Sequence, residues 1–335
     1  MSQTPRLLVV KTSSLGDVVH MLPAVSDACA MLPGIQIDWV VEESFAEVPR
    51  WHPGVRRVVP VALRRWRKQL LQPQTRHEIR RFVQTLRQEQ YDWVLDSQGL
   101  LKSALLSRMA RGQRCGYDWH SIREPLASLA YQQRAAVSRQ QHAVTRNRLL
   151  TANMLGYRID SLPVDFGIAA SAFPLPPVVL PSPYVVALHG TSRVDKEWAE
   201  EHWRQLIATL AQQGIHTLLP WGNQREQERA SRLAQTSPFA QVLPSCRLAE
   251  LAGVLQAASG VIGMDTGLMH IAAALDKPGI ALYPVTAPAL TGVMGNAQQP
   301  VQLVSLSGEA SGDAVSVIRQ LLACVATRPS PDVLV

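Results

Sequence analysis

Apolar and polar positions follow two periods along this chain. RLLVVK (6–11) is a short, β-branched apolar run closed by the turn signal Thr12-Ser13-Ser14-Leu15-Gly16, the pattern of a buried parallel strand. From Asp17 the apolar spacing turns helical to about Leu32, with a kink expected at Pro23. IDWVVEE (37–43) and VRRVVPVA (55–62) predict two more strands. Residues 76–90 predict a helix, YDWVLDSQ (91–98) a strand and 100–110 another helix. Short apolar strands alternating with amphipathic helices imply βαβ units on a parallel sheet.

The alternation restarts late in the chain. YVVALHG (184–190), HTLLPWG (216–222), SGVIGMD (259–265) and GIALYP (279–284) predict strands, with helices over 199–213, 224–235 and 267–275. Between the two series lies FPLPPVVLPSP (173–183), five prolines in eleven residues. Such a segment can neither stay helical nor donate to a sheet, so it reads as a hinge or linker. The expected fold is α/β, with two doubly wound, Rossmann-like domains facing a central cleft. The first would span residues 1–170, the linker 171–183 and the second 184–312. A terminal helix over 313–327 would dock on the surface.

Composition narrows the class. At 335 residues and 47% hydrophobic, the chain can bury two cores and is not disordered. No apolar run approaches the roughly 18 residues of a membrane-spanning helix, and the opening residues lack a signal peptide's apolar stretch. Cys29, Cys115, Cys246 and Cys324 are scattered, without a CxxC or a metal knuckle. A reduced, cytoplasmic protein is expected. The net charge of +7 is uneven: residues 1–170 hold 23 basic and 14 acidic side chains, residues 171–335 only 10 and 12. Most of the excess falls in residues 51–150, with 19 basic against 6 acidic, and 28 of the 33 basic residues are Arg. The planar guanidinium grips phosphate or carboxylate at two points. A polyanionic partner for the first half follows, but no helix-turn-helix, zinc-finger or RNP pattern marks it as nucleic acid.

Four segments carry candidate chemistry. In open α/β sheets ligands bind beyond the C-terminal strand ends, which brings forward KTSSLGDVVH (11–20), HGTSRVDKEW (189–198) and MDTGLMH (264–270). The first has one glycine, not the GxGxxG of a dinucleotide site. Its Asp17 fits a helix-capping acid first and a general base second, since such caps are common. Thr191, Ser192 and Lys196 of the second suit a diphosphate. In the third, Thr266 and Gly267 open a helix whose free N–H groups favour an anion, Asp265 fits a sugar hydroxyl, and His270 lies one turn further on. The fourth is RRWRK (64–68), a basic run with one tryptophan. Glu226 opens another helix, where a first-turn acid suits the dipole. The histidines are dispersed and no HExxH or strand-end DxD occurs, so no metal site and no cofactor are expected.

KTSSLGDVVHMLPA, IDWVVEESFAEVP, RRWRK, REPLAS, the Asp-Lys pair of TSRVDKEW and DTGLMHIAAALDKP, in this order over about residues 6–285, resemble the lipopolysaccharide heptosyltransferases of type I. This is an ADP-heptose glycosyltransferase family of GT-B fold. The resemblance implies inverting, metal-independent transfer of L-glycero-D-manno-heptose from ADP-heptose to 3-deoxy-D-manno-octulosonic acid (Kdo) on lipid A. It implies Asp17 as the base and Lys196 beside the departing ADP. Thr191, Ser192, Lys196, Glu226, Asp265, Thr266, Gly267 and His270 would hold the donor, and Arg64, Arg65, Arg67, Lys68 and Arg123 the acceptor. The expected partners are ADP-heptose, Kdo-lipid A and an anionic inner-leaflet surface, which places the protein peripherally on the cytoplasmic face of the inner membrane. Two departures from the family pattern stand out. Val194 replaces the acid usual before the Asp-Lys pair, and the usual YGPTDP segment reads Tyr283-Pro284-Val285-Thr286-Ala287-Pro288, so no donor contact is carried over to 284–288. The alternative reading is a relative that adds the second heptose to a later core acceptor.

Overall fold

The computed structural model describes residues 4–168, 173–191, 197–285, 287–297 and 303–326. The chain divides into two compact units, Met1–Ala169 and Ala170–Val335. Unit 1 carries strands β1 (Arg6–Val10), β2 (Gln36–Glu42), β3 (Val55–Val61), β4 (Gln90–Asp96), β5 (Arg111–Tyr117) and β6 (Gln133–Ala135) in one sheet, in the order β3-β2-β1-β4-β5-β6. Every pairing is parallel. Its longer helices are α1 (Leu15–Val19), α2 (Leu22–Met31), α3 (Pro73–Arg87), α4 (Leu101–Met109) and α5 (Ala143–Leu155).

Unit 2 repeats the plan. Strands β7 (Tyr184–Leu188), β8 (His216–Leu219), β9 (Ala240–Val242), β10 (Gly260–Met264), β11 (Gly279–Tyr283) and β12 (Leu303–Ser307) lie in the order β12-β11-β10-β7-β8-β9, again all parallel. Counted from its own first strand, this is the strand order of unit 1. The helices are α6 (Glu200–Gln212), α7 (Gln224–Ala234), α8 (Leu248–Ala257), α9 (Gly267–Ala274) and α10 (Ala314–Ala326). In each sheet the order reverses between the first and fourth strands, and this switch point opens a crevice for ligands at the carboxyl ends. In unit 1 the crevice lies between the ends of β1 and β4, in unit 2 between those of β7 and β10.

The central strands are apolar because helices cover both faces. Leu7, Leu8, Val9 and Val10 are fully buried, as are Val185, Ala187, Val261 and Ile262. Three sequence expectations change. Instead of kinking at Pro23, the first helix divides at His20-Met21, and Pro23 sits in the first turn of α2, where its missing N–H costs nothing. The terminal helix is no surface appendage: Val317, Ile318 and Leu321 join Ile262, Ile280 and Leu282 in the core of unit 2. Strands β5, β6, β9 and β12 and helices α5 and α8 were not foreseen.

Candidate active site

The pairing of Val10 with Asp96 sets Lys11 level with Ser97 beyond the strand ends of unit 1. Three bonds tie the two loops together there. Lys11 Nζ donates to the Ser97 carbonyl (2.9 Å), and the Thr12 and Ser13 backbone N–H groups both donate to Oε1 of Gln98 (3.0 Å each). The loop then turns into α1. Ser14 donates its backbone N–H and its hydroxyl to Oδ2 of Asp17 (2.7 and 3.1 Å). All side-chain hydrogen bonds of Asp17 among the described residues fall on that oxygen, and the residue stays partly exposed.

Beneath this loop lies a buried polar layer that the sequence reading did not single out. Asp96, fully buried, accepts from the Gln98 and Gly99 N–H groups through Oδ1 (2.9 and 3.1 Å) and from the Tyr131 hydroxyl through Oδ2 (2.7 Å). Gly116 makes the last bond reachable: a Cβ there would lie 2.4 Å from the Tyr131 ring. Burial raises the Asp96 carboxyl from its ordinary value, against these donors. Burial likewise pulls the Lys11 ammonium down, although Asp17 and Asp96 favour its charge, while Arg146 and Arg123 oppose it. Arg146 stacks over Tyr117 at 4.7 Å and donates to the Ser121 carbonyl (2.6 Å). Asp17 therefore belongs to a cluster with Lys11, Arg123 and Arg146. The terminal Asp of strand 91–98 was the available signal for Asp96. Tyr131 and Arg146 sit on segments whose periodicity was too weak to assign.

The RRWRK run lies beyond β3, at the sheet edge. It is joined to the Asp17 loop through buried Glu42, whose N–H donates to the Thr12 carbonyl (3.1 Å) and whose Oε1 accepts from the Arg64 N–H (3.1 Å). Its members differ. Arg64 lies over the Phe45 ring at 5.2 Å. Arg65 is engaged by Glu43 and Glu78 (3.1 and 2.8 Å), and Trp66 Nε1 also donates to Glu78 (2.8 Å). Arg67 and Lys68 are exposed and have no ion pair among the described residues.

In unit 2, Gly263 pairs with Leu188, which brings Asp265 level with Gly190 at the second switch point. Thr191 is buried, and its hydroxyl has no hydrogen-bond partner among the described residues. Glu226, in the first turn of α7, accepts from the Gly222 N–H through Oε2 (2.7 Å) and lies so close to Gly190 that a Cβ there would come within 2.7 Å of its Cδ. Thr266 caps α9, its hydroxyl accepting from the Leu268 N–H (3.3 Å), so the helix's free N–H groups point out of the strand end beside Gly267. His270 is buried one turn on. Burial pushes the Tyr283 phenol up to about 12, against the Val293 N–H it accepts and with a smaller push from nearby Asp265. Thr191, Glu226, Asp265, Thr266, Gly267 and His270 thus share one crevice or its rim. Ser192 and Lys196 lie outside the described residues, as does Thr286. Among the described residues no three His, Cys, Asp or Glu side chains are grouped as metal ligands.

A family model, glycosyltransferase family 9 (heptosyltransferase), matches residues 79–316. Lipopolysaccharide heptosyltransferase 1 of Escherichia coli K12 is 49% identical over 294 residues, covering 88% of this chain and 92% of that protein. Two solved structures superpose over 95% of this chain and 99% of theirs. Escherichia coli heptosyltransferase WaaC with ADP has a TM-score of 0.87 at 45% identity, and WaaC with ADP-2-deoxy-2-fluoro heptose has 0.82 at 43%. Heptosyltransferase 2 of the same species aligns over only 33% of this chain, at 24% identity. The architecture is that of the GT-B heptosyltransferases.

Proposed function

Since this chain belongs to glycosyltransferase family 9 (heptosyltransferase), we propose that it moves L-glycero-D-manno-heptose from ADP-heptose onto the Kdo of Kdo-lipid A, with inversion and without a divalent ion. What carries the reading is the matched pair of switch points. One presents a carboxylate among cations, and the other a helix N-terminus beside a buried hydroxyl that has no partner among the described residues. In sequence, heptosyltransferase 1 relatives align along most of the chain at up to 49% identity and heptosyltransferase 2 relatives along a third at 24–28%, which favours the first heptose over the second.

In this mechanism unit 2 binds the donor. Thr191, Ser192 and the N-terminus of α9 receive the diphosphate, Glu226 the ribose side, and Asp265 with His270 the sugar and phosphate. Lys196 stabilises the departing ADP. Unit 1 binds the acceptor through Arg123 and the RRWRK residues Arg64, Arg67 and Lys68, while Arg65 must first release Glu43 and Glu78. Asp17 accepts the proton of the attacking Kdo hydroxyl through Oδ1, while Ser14 steadies Oδ2. A carboxylate is a much weaker base than an alkoxide, so transfer comes late, as the anomeric carbon gains positive charge.

The acceptor's lipid places the work at an anionic surface, on the cytoplasmic face of the inner membrane. Among the described residues no helix is long and apolar enough to cross a membrane, which is compatible with the peripheral association proposed here. The test is incubation with ADP-heptose and Kdo-lipid A in excess EDTA, following ADP release. Release is expected with this acceptor. Release only with an acceptor already carrying one heptose would install the second-heptose reading, and no release with either would overturn both.

A further inference from the structure

Helix α4 carries its polarity inside out. Its buried face consists of Ser103, Ala104, Leu106 and Ser107, and its exposed face of Leu101, Lys102, Leu105 and Arg108. A surface helix ordinarily turns its leucines toward the core. Here the serines satisfy themselves on their own backbone: Ser103 Oγ donates to the Leu100 carbonyl (2.8 Å) and Ser107 Oγ to the Ser103 carbonyl (3.0 Å). Leu101 and Leu105 are left 50% and 57% exposed.

The turn packed along α4 behaves the same way. Residues Pro125–Ala130 form a 3₁₀ helix, which eclipses side chains three apart. Ala127 and Ser128 face in, while Leu126 and Leu129 stand out at 59% and 63% exposure. The two elements are pinned at their starts, where the Leu101 N–H donates to Glu124 Oε2 (2.6 Å) and the Glu124 N–H to the Gly99 carbonyl (3.1 Å). Four exposed leucines therefore lie on adjoining elements beyond the ends of β4 and β5. Lys102 and Arg108 border them, both exposed and without ion pairs among the described residues. Residues 101–150 hold nine basic side chains and two acidic ones. Both acids are committed locally: Glu124 as above, and Asp118 to the Ser121 N–H (2.9 Å).

We propose that this face, Leu101, Leu105, Leu126 and Leu129 with Lys102 and Arg108, is the surface by which the protein docks on an anionic phospholipid bilayer. An apolar patch with a cationic border matches a lipid interface, where leucines enter the acyl boundary and each nearby cation adds roughly 1 kcal/mol against anionic headgroups. The same charge surplus makes a second copy of this chain a poor occupant, because two such faces would repel. The patch adjoins Arg123, one residue before Glu124, so docking delivers a lipid-borne acceptor to the proposed acceptor side. In that respect the inference rests on the function proposed above.

The test separates the two. The full-length protein is sedimented with vesicles of zwitterionic phospholipid, with and without phosphatidylglycerol, in the absence of acceptor, and compared with L105D/L129D and K102E/R108E. Binding that requires phosphatidylglycerol is expected. Each double variant should lose at least about thirtyfold in partition coefficient, the size that taking two half-exposed leucines or two cations away from the interface predicts. Turnover on a de-acylated, water-soluble Kdo acceptor should be unchanged in L105D/L129D, which also shows that the variant is folded. Vesicle binding equal to wild type in both variants would overturn the surface, as would a wild-type dimer that L105D/L129D makes monomeric without affecting vesicle binding. Failure of the wild type to turn over the soluble acceptor would instead strike the functional reading and leave the vesicle result standing.

Discussion

Ser14 donates both its backbone N–H and its hydroxyl to the same oxygen of Asp17, Oδ2, at 2.7 and 3.1 Å. One carboxylate thus serves two ends. Oδ2 fixes the first turn of α1, while Oδ1 keeps its lone pairs for a proton. An asparagine can preserve the first service through its carbonyl oxygen but cannot perform the second. Asp17→Asn should therefore leave the melting temperature and ADP-heptose affinity near wild type while turnover falls about 10²–10⁴-fold. Asp17→Ala should in addition lose about 1 kcal/mol of stability with the cap. Calorimetry beside steady-state ADP release makes the separation, and near-normal turnover in Asp17→Asn would return the residue to capping alone.

Gly190 and Glu226 offer a steric test of the donor side. Only hydrogen fits at Gly190, because a Cβ would lie 2.7 Å from Cδ and 2.9 Å from Oε1 of Glu226. Gly190→Ala is expected to push that carboxylate away from the strand end, weakening ADP affinity about tenfold, as the loss of one charge-assisted hydrogen bond predicts. Glu226→Ala should weaken binding similarly, and G190A/E226A should be no worse than either single variant. Additive losses in titration calorimetry would show that the two act separately.

The repeated βαβ plan and the strand-end loops could be read from the sequence because short apolar strands bounded by Gly, Ser and Asp are a local signal. For that reason the sequence alone puts Lys11–Asp17, His189–Thr191 and Asp265–Gly267 at strand ends. The segment from Arg111 to Leu155 resisted. Strand β5, RGQRCGY, has three exposed or half-exposed polar residues before its buried end, and β6 is three residues long, so neither shows a period. Tyr131 and Arg146 were lost with them, since each acts through a tertiary contact: Tyr131 with Asp96, Arg146 with Tyr117. The inverted face of α4 was hidden for the opposite reason. Its leucines look like core positions, and only the burial of Ser103 and Ser107 shows which side faces in.

Acid should destabilise both units through buried histidines. His52 accepts the Gly54 N–H on Nδ1 (2.9 Å), so its proton sits on Nε2, which faces Ser26 Oγ (2.8 Å), and a second proton has no place without breaking the first bond. Burial lowers His52 to about 4 against a small opposing pull from Asp165, and burial with Arg229 lowers His189 to about 4. Between that value and the unfolded value near 6.5, the unfolded chain binds protons that the folded one refuses, so stability rises with pH across the window. It is fully present above 6.5 and is lost as pH falls toward 4, by up to about 3 kcal/mol for each histidine. His52→Asn, which can still accept from Gly54, should be less stable at neutral pH but lose less on going to about pH 5. Equal slopes in urea unfolding at the two pH values would refute the assignment.

Arg229 holds described residues on both sides of Ser192–Lys196 in the sequence, His189 before them and Glu197 and Trp198 after. Its guanidinium, 7% exposed, donates to the His189 carbonyl (3.2 Å) and to the Trp198 carbonyl, and it pairs with Glu197 (2.8 Å) next to Lys196. Burial lowers its pKa and Glu197 and Glu200 oppose that, so a guanidinium that stays charged has its burial compensated by these acids. Arg229→Gln can satisfy one carbonyl at most and leaves Glu197 to exposed Arg225. Breaking a buried pair on one side typically costs 3–5 kcal/mol, and the remaining Arg225 contact should hold the loss to about 2–3 kcal/mol. Because one side chain then no longer ties His189 to Trp198, the KM for ADP-heptose should rise about tenfold with little change in kcat, the signature of lost uniform binding. Lys196→Ala, which removes the charge itself, should instead lower kcat and donor affinity together. If Arg229→Gln melts lower but keeps its donor KM, the arginine supports only the core of unit 2.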